Sequence, residues 1–129
     1  MVMKRADIEI FYARLEAADP EPVGELNYRN HYTLLVAVVL SAQATDVGVN
    51  KATKALFEIV DTPEKMVKLG EKKLVEHIKT IGLYRNKAKN VIGLSERLIA
   101  DHGSEVPAKH DALVKLPGVG SKTANVVLN

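Results

Sequence analysis

The 129-residue sequence contains no cysteine, and this absence removes several kinds of chemistry. These residues alone form no disulfide, no thiol nucleophile and no thiolate-ligated metal or iron–sulfur cluster. The 4 histidines are scattered, without the HxH or HxxxH spacing that brings two imidazoles to one metal ion. We therefore expect no metal site and no cofactor in this chain.

Long apolar runs are also missing. The longest run, Tyr32 to Leu40, is far shorter than the roughly 20 residues that a membrane-spanning helix needs. Near the N-terminus, Asp7 and Glu9 occupy the place where a signal peptide carries its apolar stretch. The sequence therefore predicts a cytoplasmic protein of bacterial type with no membrane partner.

Strong charge of either sign is absent too, because the formal net charge is only +2. Residues 1–24 carry three basic and five acidic side chains, so the positive charge lies in residues 25–129. A composition of 47% hydrophobic and 26% charged residues is typical of one globular domain. The positive bias by itself favours a nucleic-acid partner only slightly.

The period-two alternation of β-strands is missing, whereas helical spacing recurs along nearly the whole chain. The sequence therefore predicts an all-α fold with about eight helical segments. Ile8, Phe11 and Leu15 share one face of a first helix, which ends before a linker with prolines and a glycine. We divide the chain into an N-terminal helix and linker, 1–24, and a helical domain, 25–129.

Several local signals place the helices of the second domain. Residues 31–43 are apolar nearly all round, which indicates a central buried helix. Thr45 or Asp46 is the candidate N-cap of one helix and Thr62 that of the next, where a proline follows at the first helical position. Gly82 and Gly103 are placed to end helices.

The stretch LPGVGSKTANVVLN predicts a helix–hairpin–helix at about 109–129. Pro117 ends the first helix, and Gly118 and Gly120 can adopt positive φ and let another molecule approach the backbone. The second helix starts near Ser121, so its free N–H groups and positive dipole end favour an anion such as a phosphodiester. A tight turn packed against the core is the alternative interpretation.

Three stretches together carry a family resemblance. LSAQATDVGVNKAT (Leu40 to Thr53), TIGLYRNKAKNVI (Thr80 to Ile92) and GSEVPAKHDALVKLPGVGSKTANVVLN (Gly103 to Asn129) are similar to the endonuclease III family, in its order and spacing. The resemblance covers the chain from about Leu26 onward. It implies a helix–hairpin–helix DNA glycosylase/AP lyase of base excision repair, acting on oxidised pyrimidines and abasic sites in double-stranded DNA.

The resemblance implies that Lys122 is the nucleophile, which attacks the sugar C1′ and forms a Schiff base before β-elimination. A lysine nucleophile must lose its proton, and desolvation in a closed pocket favours that loss. We therefore expect Lys122 to line a cleft. The alternative is a solvated surface lysine.

Further DNA contacts follow from the same resemblance. Gln43 matches the residue that fills the hole left by an extruded nucleotide, and Leu83 matches the apolar wedge in the base stack. Alternatively, Gln43 caps a helix end and Leu83 is a core residue. Arg85, Lys87 and Lys89 follow the wedge and either contact phosphate or form a solvated helix face. The hairpin residues implied to meet DNA are Gly118, Val119, Gly120, Ser121 and Thr123.

Two features of the family are missing from these 129 residues. One is a VDTH-like strip that carries the catalytic aspartate, and the other is the set of four cysteines that binds a 4Fe-4S cluster. We therefore expect a C-terminally truncated member, with the cluster present only in a full-length form and with little or no glycosylase activity. Weak Schiff-base chemistry on a preformed abasic site is expected to survive. Self-association is expected through Val126, Val127 and Leu128.

Three other interpretations remain open at this point. The chain could be a non-catalytic helix–hairpin–helix fragment that only binds DNA, or an inactive fragment that folds partially or as an oligomer. An adenine-mispair glycosylase is disfavoured, because those enzymes lack a Schiff-base lysine at the position of Lys122. In the leading interpretation the protein is associated with the bacterial nucleoid.

Overall fold

The computed structural model describes residues 26–129, and the secondary structure of this range is entirely helical. The all-α prediction is confirmed. Both the predicted first helix and the division at residue 24 lie outside the described residues. Within them, the helices are α1 (His31–Ser41), α2 (Asp46–Ile59), α3 (Pro63–Leu69), α4 (Glu71–Ile78), α5 (Tyr84–His102), α6 (His110–Leu113) and α7 (Ser121–Leu128).

Helix α1 is the centre of the fold, and it contacts α2, α5 and α7. Every residue from Tyr32 to Leu40 is buried, as expected for a helix that is apolar all round. A capping box fixes its start: Thr33 N donates to Asn30 Oδ1 at 2.8 Å, and Asn30 N donates to Thr33 Oγ1 at 2.9 Å. The helix ends at Ser41 rather than at the predicted Gln43, because Ala42 leaves the helical conformation with ψ 120° and Gln43 then adopts a positive φ of 57°.

Helix α5 is the longest element and covers α1 with the buried residues Ala88, Val91, Leu94 and Leu98. A buried hydrogen bond joins the two helices, with 2.5 Å between Tyr32 Oη and Ser95 Oγ. Since Ser95 Oγ donates to Val91 O at 2.7 Å, the tyrosine is the donor to the serine. Burial raises the pKa of Tyr32, which keeps this hydroxyl protonated.

The hairpin between α6 and α7 packs directly on α5. A Cβ placed on Gly118 would lie 2.7 Å from Asn90 Cβ, and one on Gly93 would lie 3.2 Å from Pro117 Cγ. These two glycines therefore permit a close approach that larger residues would prevent. The turn that opens α7 is thus held against the helix that begins at Tyr84.

The N-cap predictions are confirmed, because Thr45 Oγ1 accepts from Gly48 N at 3.0 Å and Thr62 Oγ1 accepts from Lys65 N at 3.2 Å. Gly103 ends α5 with a left-handed φ of 59°, as predicted. The prediction for Gly82 is wrong. Helix α4 already ends at Ile78, and the left-handed residue of the following turn is Leu83. No helix in residues 26–129 combines the length and apolar character needed to cross a membrane.

Candidate nucleic-acid interface

Two turns present exposed side chains from a left-handed backbone. Gln43 follows α1 with φ 57°, and Leu83 precedes α5 with φ 60° and ψ 30°. For an L-residue other than glycine this conformation costs roughly 1–2 kcal/mol. Among the described residues only Ser104 shares it outside glycine. Such strain is concentrated at functional sites, so these two turns are candidates.

Both turns border one groove of about 260 Å³. The end of α1, the start of α5 and the hairpin all contribute to its wall. The groove combines apolar surface with amides and one ammonium. Its lining residues are Val39, Ala42, Gln43, Leu83, Asn86, Lys87, Asn90 and Gly118.

Leu83 is 59% exposed, so the alternative that it is a core residue is wrong. An isolated exposed leucine is ordinary, but one in a strained backbone beside a groove suggests an apolar contact with another molecule. The alternative for Gln43, a cap on a helix carbonyl, also lacks support. Its exposed side chain forms no hydrogen bond within residues 26–129.

The sequence left two alternatives for Lys87, a phosphate contact and a solvated helix face, and its side chain matches neither. The residue is only 5% exposed, and its Nζ has no hydrogen-bond partner in the part of the chain that the structure describes. Burial lowers the pKa of this amine, because desolvation disfavours the ammonium. Neither a solvated face nor an exposed phosphate contact fits this side chain.

Arg85 and Lys89 fit the solvated-face alternative, because both are exposed. The Arg85 guanidinium carbon lies 5.7 Å from the centre of the Tyr84 ring, and its Nε donates to Tyr84 Oη at 3.3 Å. A cation above a ring is held loosely at an exposed site. These two residues remain available to an anion that approaches α5.

The hairpin geometry supports an approach by a phosphate. Of the two glycines that can adopt positive φ, Gly118 does so with φ 77°, whereas Gly120 is an extended N-cap with φ −94° and ψ 179°. No side chain caps α7, which leaves its first N–H groups unpaired by side chains. Val119 is buried and anchors the turn. His110 Nε2 lies 3.0 Å from Ser121 Oγ and links α6 to α7.

Lys122 lies in the first turn of α7, beside the half-buried Thr123, and is exposed. It does not border the groove of Gln43 and Leu83. That Lys122 lines a cleft stays a prediction. Its exposure follows from the register of α7, which turns Ala124 into the core and leaves Ser121 and Lys122 outside.

No group of three His, Cys, Asp or Glu side chains within residues 26–129 is placed to hold a metal ion. A 4Fe-4S cluster does not fit the residues present either, because cysteine thiolates are its usual ligands and the sequence has none.

Residues 36–127 match the HhH-GPD superfamily of base excision DNA repair proteins. The chain belongs to this superfamily.

Curated relatives of the chain include several endonuclease III proteins. The chain is 56% identical over 122 residues to endonuclease III of Treponema pallidum (strain Nichols), covering 95% of this chain and 58% of the relative. It is 53% identical over 116 residues to endonuclease III of Escherichia coli (strain K12), covering 90% and 55%. The chain thus spans less than three fifths of the length of these relatives.

Solved structures share the fold. A trapped endonuclease III–DNA covalent intermediate, in an estranged-adenine complex, superposes with a TM-score of 0.81 at 46% identity, covering 98% of this chain and 59% of that one. A thermostable thymine-DNA glycosylase superposes with a TM-score of 0.76 at 25% identity, covering 93% and 57%.

Proposed function

We propose that this chain forms the DNA-binding part of an endonuclease III-type DNA glycosylase/AP lyase, which acts on oxidised pyrimidines and abasic sites in double-stranded DNA. One observation carries the proposal: Gln43 and Leu83, both exposed and both left-handed, border one groove. Identities of 53–56% to endonuclease III relatives support it.

In the proposed complex, Leu83 enters the base stack and Gln43 occupies the space of the extruded nucleotide. Extrusion costs a few kcal/mol of stacking and pairing, and least where the base is damaged or missing. Because both side chains already project from fixed turns, little further ordering is needed on binding. The groove would then face the base that has lost its partner.

The hairpin would bind the phosphodiester backbone on the same side. The N–H groups at the start of α7 that no side chain caps, and the open space where Gly120 lacks a Cβ, suit a close phosphate contact. Such contacts position the protein without reading sequence. Arg85 would add a salt-sensitive contact from α5.

Lys122 would supply the chemistry on an abasic site. Its neutral amine adds to the C1′ aldehyde, water leaves, and a C=N bond forms. Loss of a C2′ proton then expels the 3′ phosphate by β-elimination. Since no residue among the 129 matches the family's catalytic aspartate, the proposal for these residues is confined to the abasic-site step. We propose that bound DNA, rather than the free chain, excludes water from the exposed amine.

Borohydride trapping on an abasic-site duplex tests this role, because it reduces the imine to a stable secondary amine. We expect a covalent adduct with the unmodified chain and none with Lys122→Gln. Lys115→Gln is the matched control, since Lys115 is an exposed lysine that precedes the same hairpin. An adduct that persists in Lys122→Gln would contradict the assignment.

The exposure of Lys122 favours a second candidate, a helix–hairpin–helix module that binds DNA without chemistry. Salt-dependent binding of the abasic duplex without any trapped adduct would support this candidate. Nucleoid association is proposed in either case, because both candidates bind DNA.

Self-association is also proposed, through Val126 and Leu128 on α7. These side chains are 48% and 40% exposed, and burying such apolar surface favours a second copy. Sedimentation of the chain and of Val126→Ser at two concentrations tests it. A concentration-independent monomer would contradict this part of the proposal.

A further inference from the structure

Lys87 is the one buried side-chain nitrogen or oxygen without a hydrogen-bond partner in residues 26–129. Burying an ammonium without a partner is costly, and proteins normally pair such groups or bind a ligand to them. Lys87 also borders the groove between Gln43 and Leu83. Its position therefore calls for an acceptor that arrives with a bound molecule.

A phosphate is a poor match for that acceptor. Phosphate contacts lie on wet, exposed surface, whereas Lys87 is 5% exposed in a groove whose wall includes Val39, Ala42 and Leu83. Apolar wall, amides and one ammonium suit a flat heterocycle with an acceptor at its edge. Asn86 and Asn90 add amide groups to the same wall.

We propose that Lys87 determines opposite-base preference by donating to a carbonyl oxygen of the orphaned base. The inference rests on the proposed function, since that function brings the orphaned base to this groove. Guanine presents a carbonyl oxygen at C6, whereas adenine has an amino group there and no carbonyl at all. The protein therefore prefers guanine to adenine opposite an abasic site.

The ammonium becomes accessible only when the border of the groove moves, because less than 1 Å² of Nζ is exposed. Leu83 lies one helical turn before Lys87 and borders the same groove. The inference therefore includes a displacement of the groove border when the orphaned base binds.

The test measures the affinity of the chain for duplexes that carry a stable abasic analogue opposite guanine, hypoxanthine or adenine. Fluorescence anisotropy gives each affinity at several salt concentrations. Hypoxanthine keeps the C6 carbonyl and lacks the 2-amino group of guanine. For the unmodified chain we expect guanine and hypoxanthine to bind alike and about tenfold more tightly than adenine, within the range of one good base contact.

Lys87→Met and Lys87→Gln should bring the ratio of guanine to adenine affinity to about one or below, with an unchanged salt slope. Lys89→Met, on the exposed face of the same helix, should keep the ratio whatever its effect on affinity. Lys87→Met should unfold at or above the temperature of the unmodified chain, because an unpaired buried ammonium is replaced by an apolar side chain.

A lower salt slope with an unchanged ratio in the Lys87 variants would show a phosphate contact and overturn the proposal. An equal loss for all three bases would show a positioning residue and overturn it as well. If hypoxanthine behaves like adenine, the 2-amino group is read and the carbonyl assignment fails. Each of these outcomes leaves the proposed function intact, whereas absence of duplex binding by the unmodified chain would overturn both.

Discussion

At the scale of single residues, the left-handed backbone at Leu83 lowers the stability of the fold and favours contact with a bound molecule. The turn has a glycine one position earlier, yet the left-handed conformation falls on the leucine. The chain therefore accepts roughly 1–2 kcal/mol of strain to project an apolar side chain into solvent. Strain retained at an exposed residue indicates that binding benefits from the geometry.

Leu83→Asn separates these two effects, because asparagine tolerates the left-handed region. We expect the free energy of unfolding to rise by about 1 kcal/mol while affinity for an abasic-site duplex falls. Urea unfolding and anisotropy on the same samples measure both. Ile59→Asn serves as a control at an exposed apolar residue outside the groove. A variant that gains stability and keeps its affinity would remove Leu83 from the interface.

The buried amine of Lys87 predicts a pH dependence of stability. Its pKa in the folded state is lowered from 10.5, so the unfolded chain binds the proton more tightly. Stability from this group therefore rises with pH between the lowered folded value and the ordinary value. The advantage of Lys87→Met over the unmodified chain should shrink from pH 7 towards pH 10.5. An advantage that stays constant across this window would mean that the amine is not desolvated.

At the scale of elements, the hairpin is defined by the different demands on its two glycines. Gly118 combines a positive φ with contact against Asn90, whereas Gly120 has an ordinary φ and open space around its Cα. The first glycine is thus required by folding. At Gly120, no atom of the chain beyond the two adjoining residues lies within 4 Å of the place where a Cβ would be.

The paired substitutions Gly118→Ala and Gly120→Ala test this division. Gly118→Ala should cost about 2–4 kcal/mol of unfolding free energy, from backbone strain and overpacking together. Gly120→Ala should leave stability nearly unchanged and weaken DNA binding, because its Cβ would stand where a phosphate approaches. Thermal unfolding and duplex titration of both variants give the answer. Equal stability loss in the two would show that both glycines serve packing alone.

Elements that depend on local chemistry could be predicted from the sequence. The caps at Thr45 and Thr62, the stop at Gly103 and the hairpin all follow from residue types at fixed offsets. Lys87 could not be predicted in the same way. Its spacing allowed a solvated face, and its burial is a result of tertiary packing that the position on the helix does not reveal.

In the candidate site, too, features that depend on tertiary packing could not be predicted from the sequence. Gln43 and Leu83 could be assigned from family motifs, but their shared left-handed backbone gives no sequence signal, because neither residue type favours it. The exposure of Lys122 matches the alternative of a solvated surface lysine rather than the leading expectation. A nucleophile's chemistry suggests a closed pocket, whereas the register of α7 is set by Ala124 and the core. For this chain by itself, packing decided the position of the lysine.

At the scale of the whole molecule, one side of the fold gathers the groove and the hairpin through close contacts between α5 and the turn that opens α7. The chain spans under three fifths of the length of its endonuclease III relatives, yet this range includes both residues proposed to contact the base stack and the proposed nucleophile. Recognition of a missing base can therefore be tested with these residues alone.

The central claim is that Gln43 and Leu83 recognise a missing base together from one groove. The most direct measurement compares binding of an abasic-analogue duplex with binding of the intact duplex, for the chain and for the double variant Gln43→Ala/Leu83→Ala. We predict at least tenfold preference for the abasic duplex with the unmodified chain, on the order of one good base-level contact. The double variant should bind both duplexes equally. A preference that survives in the double variant would contradict the account.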